Sequence, residues 1–196
     1  QERLRARLEQ LTEQERSQIG EVAIDMWEPY SDVCEELLPN AIITVDRFHV
    51  AKAVNEELKK LKNQEKKQHP QVIEGAHYPL LKNQENLTDT QQEKLDQVYK
   101  ACPNLRMAHR LKECLRHIFE YPSTKEKAIQ RLQKWSHIAE KEHLFPKFRK
   151  TLSNWIDKIA NYFQHRTTSA MVEGINNKIK LIKRRAFGFR NFHNFR

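Results

Sequence analysis

A chain of 196 residues, 38% hydrophobic and 31% charged, is long enough for one sizeable core. Only four glycines and the lack of a long apolar run exclude a turn-rich all-β fold and a membrane span. The net charge of +9 is uneven: residues 147–196 hold 12 Lys or Arg against Asp157 and Glu173, a balance of +10, while the other 146 residues come to −1.

In chain order, Leu4, Leu8 and Leu11 fall at helical spacing and predict one amphipathic helix over residues 1–18, ended near Gly20. Val22, Ala23 and Ile24 then predict a short strand running into Asp25. Pro29 and Ser31 punctuate, and "DVCEELL" predicts a short helix stopped by Pro39 and Asn40. "AIITV" is a second strand, leading into Asp46 and a helix from Arg47 to about Lys67. Helix–strand–helix–strand–helix predicts part of an α/β domain with neighbouring parallel strands. Two strands do not make a stable sheet alone, and later residues supply no others.

From about 68 to 165 the pattern is helical and polar, with a loop marked by Gly75, Pro79, Asn83 and Asn86. Thr88 to Gln91 resembles a cap, and Pro103 is expected in the first turn of a helix through Phe119. Ser123 with Glu126 matches a capping box opening a helix to about Lys141. Pro146 opens the next, with Phe148, Leu152, Trp155, Ile156 and Ile159 on its apolar stripe. The odd cysteines Cys34, Cys102 and Cys114 form no C-x-x-C pair and read as reduced thiols of a cytosolic protein. A zinc site drawn from Cys102, His109, Cys114 and His117 lacks paired ligand spacings and is not favoured.

The last helix is expected from about Thr168 to Arg185. At 100° per residue, Glu173, Asn177, Lys180 and Arg184 share an arc of about 60°, while Val172, Ile175, Ile179, Ile182 and Ala186 form a face expected to pack. Gly174 costs a helix about 1 kcal/mol relative to Ala, which suggests a close approach there. Basic residues interleaved with Phe187, Phe189, Phe192 and Phe195 point to a polyanion, most economically nucleic acid.

Asp25 and Asp46 each end an apolar run, at the strand edge where open α/β sheets bind ligands. Two readings stand side by side. The carboxylates hold a divalent metal beside a phosphodiester, or each caps the helix that follows it.

The segments "VAIDMWEPY", "LPNAIITVDRFHVAKAVN", "FPKFRKTLSNW" and "NYFQHRTTSAMVEGINNKIKLIKRRAFGFRNFHNFR" resemble the DDE transposases of bacterial insertion sequences, of the ISL-three family. The likeness covers most of the chain and is strongest from residue 144 onward. It implies an RNase H-like sheet carrying an Asp–Asp–Glu triad, interrupted by a helical insertion. The fold class expected is therefore α/β, predominantly helical: a partial RNase H-like fold with two strands retained and a large all-helical insertion.

Residues 1–67 would belong to the catalytic core, 68–165 to the insertion, and 166–196 to the core helix bearing the glutamate and a basic tail. Glu173 of "VEGIN" matches the last acid, and Asp25 the second, both as metal ligands; Asp46 is the alternative second acid. Asp46 and His49 would form a supporting Asp-x-x-His element. Asn177, Lys178, Lys180, Lys183, Arg184, Arg185 and Arg190 would contact DNA.

The implied cofactor is two Mg²⁺ ions, or Mn²⁺. The implied partners are insertion-sequence ends and target DNA, with no membrane and with homo-oligomerisation of the complete protein. The implied place is the bacterial cytoplasm, at the nucleoid when DNA-bound. The family's first aspartate lies on an earlier strand than this sequence shows, and the chain opens on Gln1. It is accordingly expected to be a carboxyl-terminal fragment, inactive alone. The alternative is a non-catalytic DNA-binding remnant of a transposase, and a third reading is a helical protein whose basic end meets an acidic partner.

Overall fold

A computed structural model describes residues 2–166 and 170–185, and the side chains of 2–166 and 174–185. Among the described residues the chain is predominantly helical, with two short parallel strands, in keeping with the expected partial RNase H-like α/β fold. No described helix is long and apolar enough to cross a membrane.

The amino-terminal region holds α1 (Glu2–Glu9), α2 (Glu13–Ser17), β1 (Glu21–Ile24), α3 (Glu28–Leu37) and β2 (Ile42–Val45). The expected single helix over 1–18 is two. Thr12 and Glu15 make a reciprocal capping box that satisfies the free N–H groups of a new start, and this local chemistry overrides the leucine periodicity. Pro29 does not punctuate but sits in the first turn of α3, where its missing N–H costs nothing. β1 and β2 pair in parallel from Glu21 opposite Ile42 to Ile24 opposite Val45.

The long helix α4 (Arg47–Gln68) leaves β2 and buries Val50, Val54 and Leu58. The expected loop after it contains α5 (Pro70–Ile73), α6 (His77–Leu81) and a 3₁₀ turn at Gln84–Asn86. Helices α7 (Asp89–Ala101), α8 (Pro103–Glu120), α9 (Lys125–Lys141) and α10 (Pro146–His165) follow. Thr88 and Gln91 form the predicted cap of α7. The cap of α9 is Thr124, which accepts from the Lys127 amide, rather than Ser123. The hydroxyl of Ser123 is buried with no partner among the described residues.

One core joins both halves of the chain. Trp135 lies at its centre, donating from Nε1 to the Leu111 carbonyl at 2.7 Å and packing against Phe145 and Phe148. Burying an aromatic of this size stabilises the fold by about 3 kcal/mol. α10 runs along β2, and Asn161 Nδ2 donates to the Ile43 carbonyl at 2.8 Å. The Glu57 carboxylate of α4 accepts from the amides of Lys147 and Phe148, where the α10 dipole favours an anion. Strand edge and helical region are thus fixed to each other by a packed helix and a capped one.

The last helix, α11, spans Ala170–Arg185. Its expected apolar face does not pack on the described residues: Ile175, Ile179 and Ile182 are 53%, 39% and 49% exposed. A side chain added at Gly174 would meet nothing within 4 Å, so the close approach expected there does not come from described residues either.

Candidate active site

The parallel register sets Asp25 and Asp46 side by side, one residue beyond Ile24 and Val45. The Asp46 amide extends the ladder by donating to the Ile24 carbonyl at 3.0 Å. The two environments then diverge.

Asp46 is 1% exposed and caps α4: a carboxylate oxygen accepts from the Phe48 amide at 2.9 Å, and its carbonyl accepts from the His49 amide at 3.0 Å. The helix starts directly after it, so the carboxylate is turned back onto the first turn.

Asp25 caps nothing. The residue at the cap of α3 is Trp27, which makes no side-chain cap bond, because Pro29 sets that helix start further along. One oxygen of the Asp25 carboxylate, Oδ1, is buried and has no hydrogen-bond partner among the described residues. Such an atom costs about 1–3 kcal/mol unless something outside the described chain satisfies it.

Asp25 and His49 line a common hollow of about 550 Å³, together with Tyr30, Cys34 and the guanidinium-bearing Arg3 and Arg7 of α1. Burial pushes the Cys34 thiol above its ordinary range, with Glu35 adding to the effect, so it is a neutral wall of this hollow. Asp46 faces a different cavity of about 450 Å³ between α4, α8 and α10, shared with Asn55, Lys112, Arg116 and Tyr162. Of the Asp-x-x-His element, His49 thus lines the hollow of Asp25 and Asp46 lines the other cavity.

The second cavity is backed by a buried charge network. Lys112 Nζ lies 2.6 Å from Glu113 and donates to the carbonyls of Leu80 and Lys82 at 3.2 and 2.7 Å. Arg116 binds Glu113 at 2.9 Å, Glu85 at 2.7 Å and Glu120 at 2.6 Å. Burial works to raise the Glu113 carboxyl, but the two cations hold it below its ordinary range. His109 Nδ1 lies 2.8 Å from the Tyr99 hydroxyl, and Nε2 lies 3.4 Å from Lys112 Nζ. An ammonium can only donate, so Nε2 accepts and Nδ1 carries the proton toward Tyr99. Burial, then the neighbouring Lys112, pushes the imidazole down to about 4. Among the described residues, Cys102, His109, Cys114 and His117 do not come together as a group that could hold a metal.

Glu173 lies in α11, with its side chain outside the described residues. Asn177, Lys178, Lys180, Lys183, Arg184 and Arg185 are all exposed along that helix, and Arg190 lies outside the described residues.

Three exposed aromatics escaped the sequence reading: Trp27 with Tyr30 edge-on to it at 4.3 Å, and Phe48 edge-on to His49 at 5.5 Å. The signal for two of them was present, since both strands end in Asp-x-aromatic, "DMW" and "DRF".

An ISL3 (ISL-three) DDE-type family model described as a transposase matches residues 1–196. The chain is similar to the transposase for insertion sequence element IS1001 of Bordetella parapertussis, 31% identical over 97% of this chain and 49% of that protein. It is also similar to the transposase for insertion sequence element IS1557 of Mycobacterium tuberculosis, 29% identical over 89% of this chain and 46% of that protein. The chain spans about half the length of these curated relatives. No solved structure gives a significant match.

Proposed function

We propose that this chain, which belongs to the ISL3 family of DDE transposases, supplies the second and third acids of a metal-dependent site that cleaves and joins DNA at the ends of an insertion sequence. The observation that carries the reading is the buried oxygen of Asp25 at the carboxyl edge of β1, which has no hydrogen-bond partner among the described residues. A hard cation takes carboxylate oxygens, water and phosphate, and an orphaned carboxylate oxygen at a strand edge suits that donor set. Asp25 and Glu173 would hold Mg²⁺ or Mn²⁺, with a first aspartate from the other half of the complete protein. Bound there, the two ions supply activation of a water or 3′-hydroxyl and charge stabilisation of the leaving oxygen.

The chain's own residues do the rest of the work in this reading. Asp46 does not ligate: it fixes the first turn of α4 and thereby holds His49 on the wall of the Asp25 hollow, where it would meet a phosphate entering that hollow. Arg3 and Arg7 raise the positive potential around that hollow. Trp27, Tyr30 and Phe48 offer exposed ring faces to unpaired bases. Lys178, Lys180, Lys183, Arg184 and Arg185 grip the phosphate backbone, with Asn177 beside them and Arg190 beyond.

Residues 1–67 and 166–196 form parts of the catalytic core, and 68–165 form the insertion. The exposed Ile175, Ile179 and Ile182 pack on strands contributed by the rest of the protein, consistent with a chain half the length of its relatives. The complete protein works on DNA in the bacterial cytoplasm as a homo-oligomer, and this chain alone is inactive.

The test is Asp25→Ala and Glu173→Ala in the full-length protein. Each should lower strand cleavage at least about a thousandfold, about 4 kcal/mol of barrier, with DNA affinity retained. Unchanged strand transfer in either variant sinks the assignment. A second reading, a DNA-binding remnant without chemistry, is favoured by the exposed cations of α11 alone. It predicts a full-length protein without cleavage activity, whose salt-sensitive affinity survives both substitutions.

A further inference from the structure

Away from the strand edge, two helix corners meet. The first is the end of α4, where Glu65 and His69 stand one turn apart on the same face and the His69 amide donates to the Glu65 carbonyl at 2.9 Å. The second is the junction of α7 and α8 at Cys102, whose amide donates to the Val98 carbonyl at 2.8 Å. Each corner is followed by a proline, Pro70 or Pro103, which sets φ for the next helix.

The corners bring together a carboxylate oxygen, an imidazole nitrogen and a thiol sulfur, all within 4.8 Å of one another. Cys102 is 1% exposed, while Glu65 and His69 are half-buried. The sulfur is therefore held by packing, and the other two donors keep rotamer freedom. In a tetrahedral site with bonds of about 2.0–2.3 Å the donors stand about 3.5 Å apart, which Glu65 and His69 reach by side-chain rotation.

We propose that Glu65, His69 and Cys102 form a Zn²⁺ site that staples the end of α4 to the α7–α8 corner. The mixed oxygen, nitrogen and sulfur donor set selects a borderline-soft ion and disfavours Mg²⁺, so this site is distinct from any metal at Asp25. Three protein ligands leave the fourth position to water. On coordination the Cys102 sulfur gives up its proton to solvent and bonds as the thiolate. Without metal the thiol stays protonated, since burial and the adjacent Glu65 both raise it above its ordinary range. The inference does not rest on the transposition reading, because a staple between these helices serves any function of the fold.

The experiment is a Co²⁺ titration of the purified chain carrying Cys114→Ser, which removes the exposed thiol. One equivalent of Co²⁺ should bring up a near-ultraviolet thiolate-to-cobalt charge-transfer band and intense tetrahedral visible bands, both removed by Zn²⁺. Cys102→Ser should abolish the charge-transfer band. His69→Ala, at a half-exposed position that leaves the core untouched, should keep a native helical spectrum and weaken binding at least about tenfold. No charge-transfer band at excess Co²⁺, an unchanged band in Cys102→Ser, or unchanged affinity in His69→Ala would overturn the proposal. Any of these results leaves the Asp25 and Glu173 assignment standing, since neither residue belongs to this cluster.

Discussion

Lys112 and Glu113 of α8 lie as deep in the protein as the oxygen of Asp25 does at the strand edge, yet their surroundings are opposite. Around α8, Lys112 and Glu113 have charged or carbonyl partners within 3.2 Å, drawn from α6, the turn after it and α8 itself. At the end of β1 the carboxylate oxygen has none among the described residues. The buried charges of the helical region are thus paired within residues 80–120, Glu113 Oε1 meeting Lys112 as an ion pair without a hydrogen bond. The strand edge instead holds a buried carboxylate oxygen with neither a hydrogen bond nor an ion pair among the described residues, the kind of group a bound cation would satisfy. The two four-residue strands point the same way, since a sheet this small gains independent stability only when further strands extend it.

The sharpest way to break this comparison is to open the closed region. Lys112→Met removes the ammonium that bridges Glu113 and two carbonyls, leaving the carboxylate to Arg116 and the Gln84 amide. The expected loss is about 3 kcal/mol in urea denaturation, with much of it recovered in Lys112→Met/Glu113→Leu because the stranded charge is then gone. If the single variant is neutral, the network is not what holds α8 to the α6 turn.

A milder probe of the same region is pH. His109 titrates at about 4 in the fold against 6.5 for the ordinary side chain, because burial and Lys112 disfavour its cation; Glu113 opposes them weakly, and Tyr99 holds the other ring nitrogen. Its folded value is depressed, so its contribution is complete above the unfolded pKa. As pH falls from about 6.5 toward about 4, the unfolded chain takes up a proton that the folded chain refuses, and stability falls. The expected loss attributable to His109 is about 2 kcal/mol between pH 7 and pH 5. In His109→Gln, denaturation midpoints at the two pH values should differ by correspondingly less.

How far the sequence carried these features depends on the range of the forces behind them. The Thr88 cap, Pro103 in a first turn and the two Asp-terminated strands are settled within four or five residues, and each was legible. The break at Thr12 was equally local, a Thr-x-x-Glu box, but three leucines in helical phase masked it. Of the candidate site, the adjacency of Asp25 and Asp46 was readable and their difference was not drawn out. The clue was Pro29, which moves the start of α3 beyond reach of Asp25, whereas "DRFH" enters its helix at once. The Lys112 network and the meeting of Glu65 with Cys102 join residues more than 25 positions apart through helix packing, and no local pattern encodes them.

The smallest expected effect bears most directly on that difference between the two aspartates. Asp46→Ala deletes the acceptor for the Phe48 amide at the start of a 22-residue helix, and losing a carboxylate cap costs about 1 kcal/mol. Asp25→Ala deletes an atom with nothing described to satisfy it, so stability in metal-free buffer should stay within about 0.5 kcal/mol of the parent or rise. Paired urea titrations of the two variants read this contrast without any assay of DNA cleavage. A cost at Asp25 equal to that at Asp46 would mean that its carboxylate is structural, and the strand edge would lose its claim to be the site. A cost confined to Asp46 leaves Asp25 as a group that folding does not use, retained at the edge of the sheet where a ligand would need it.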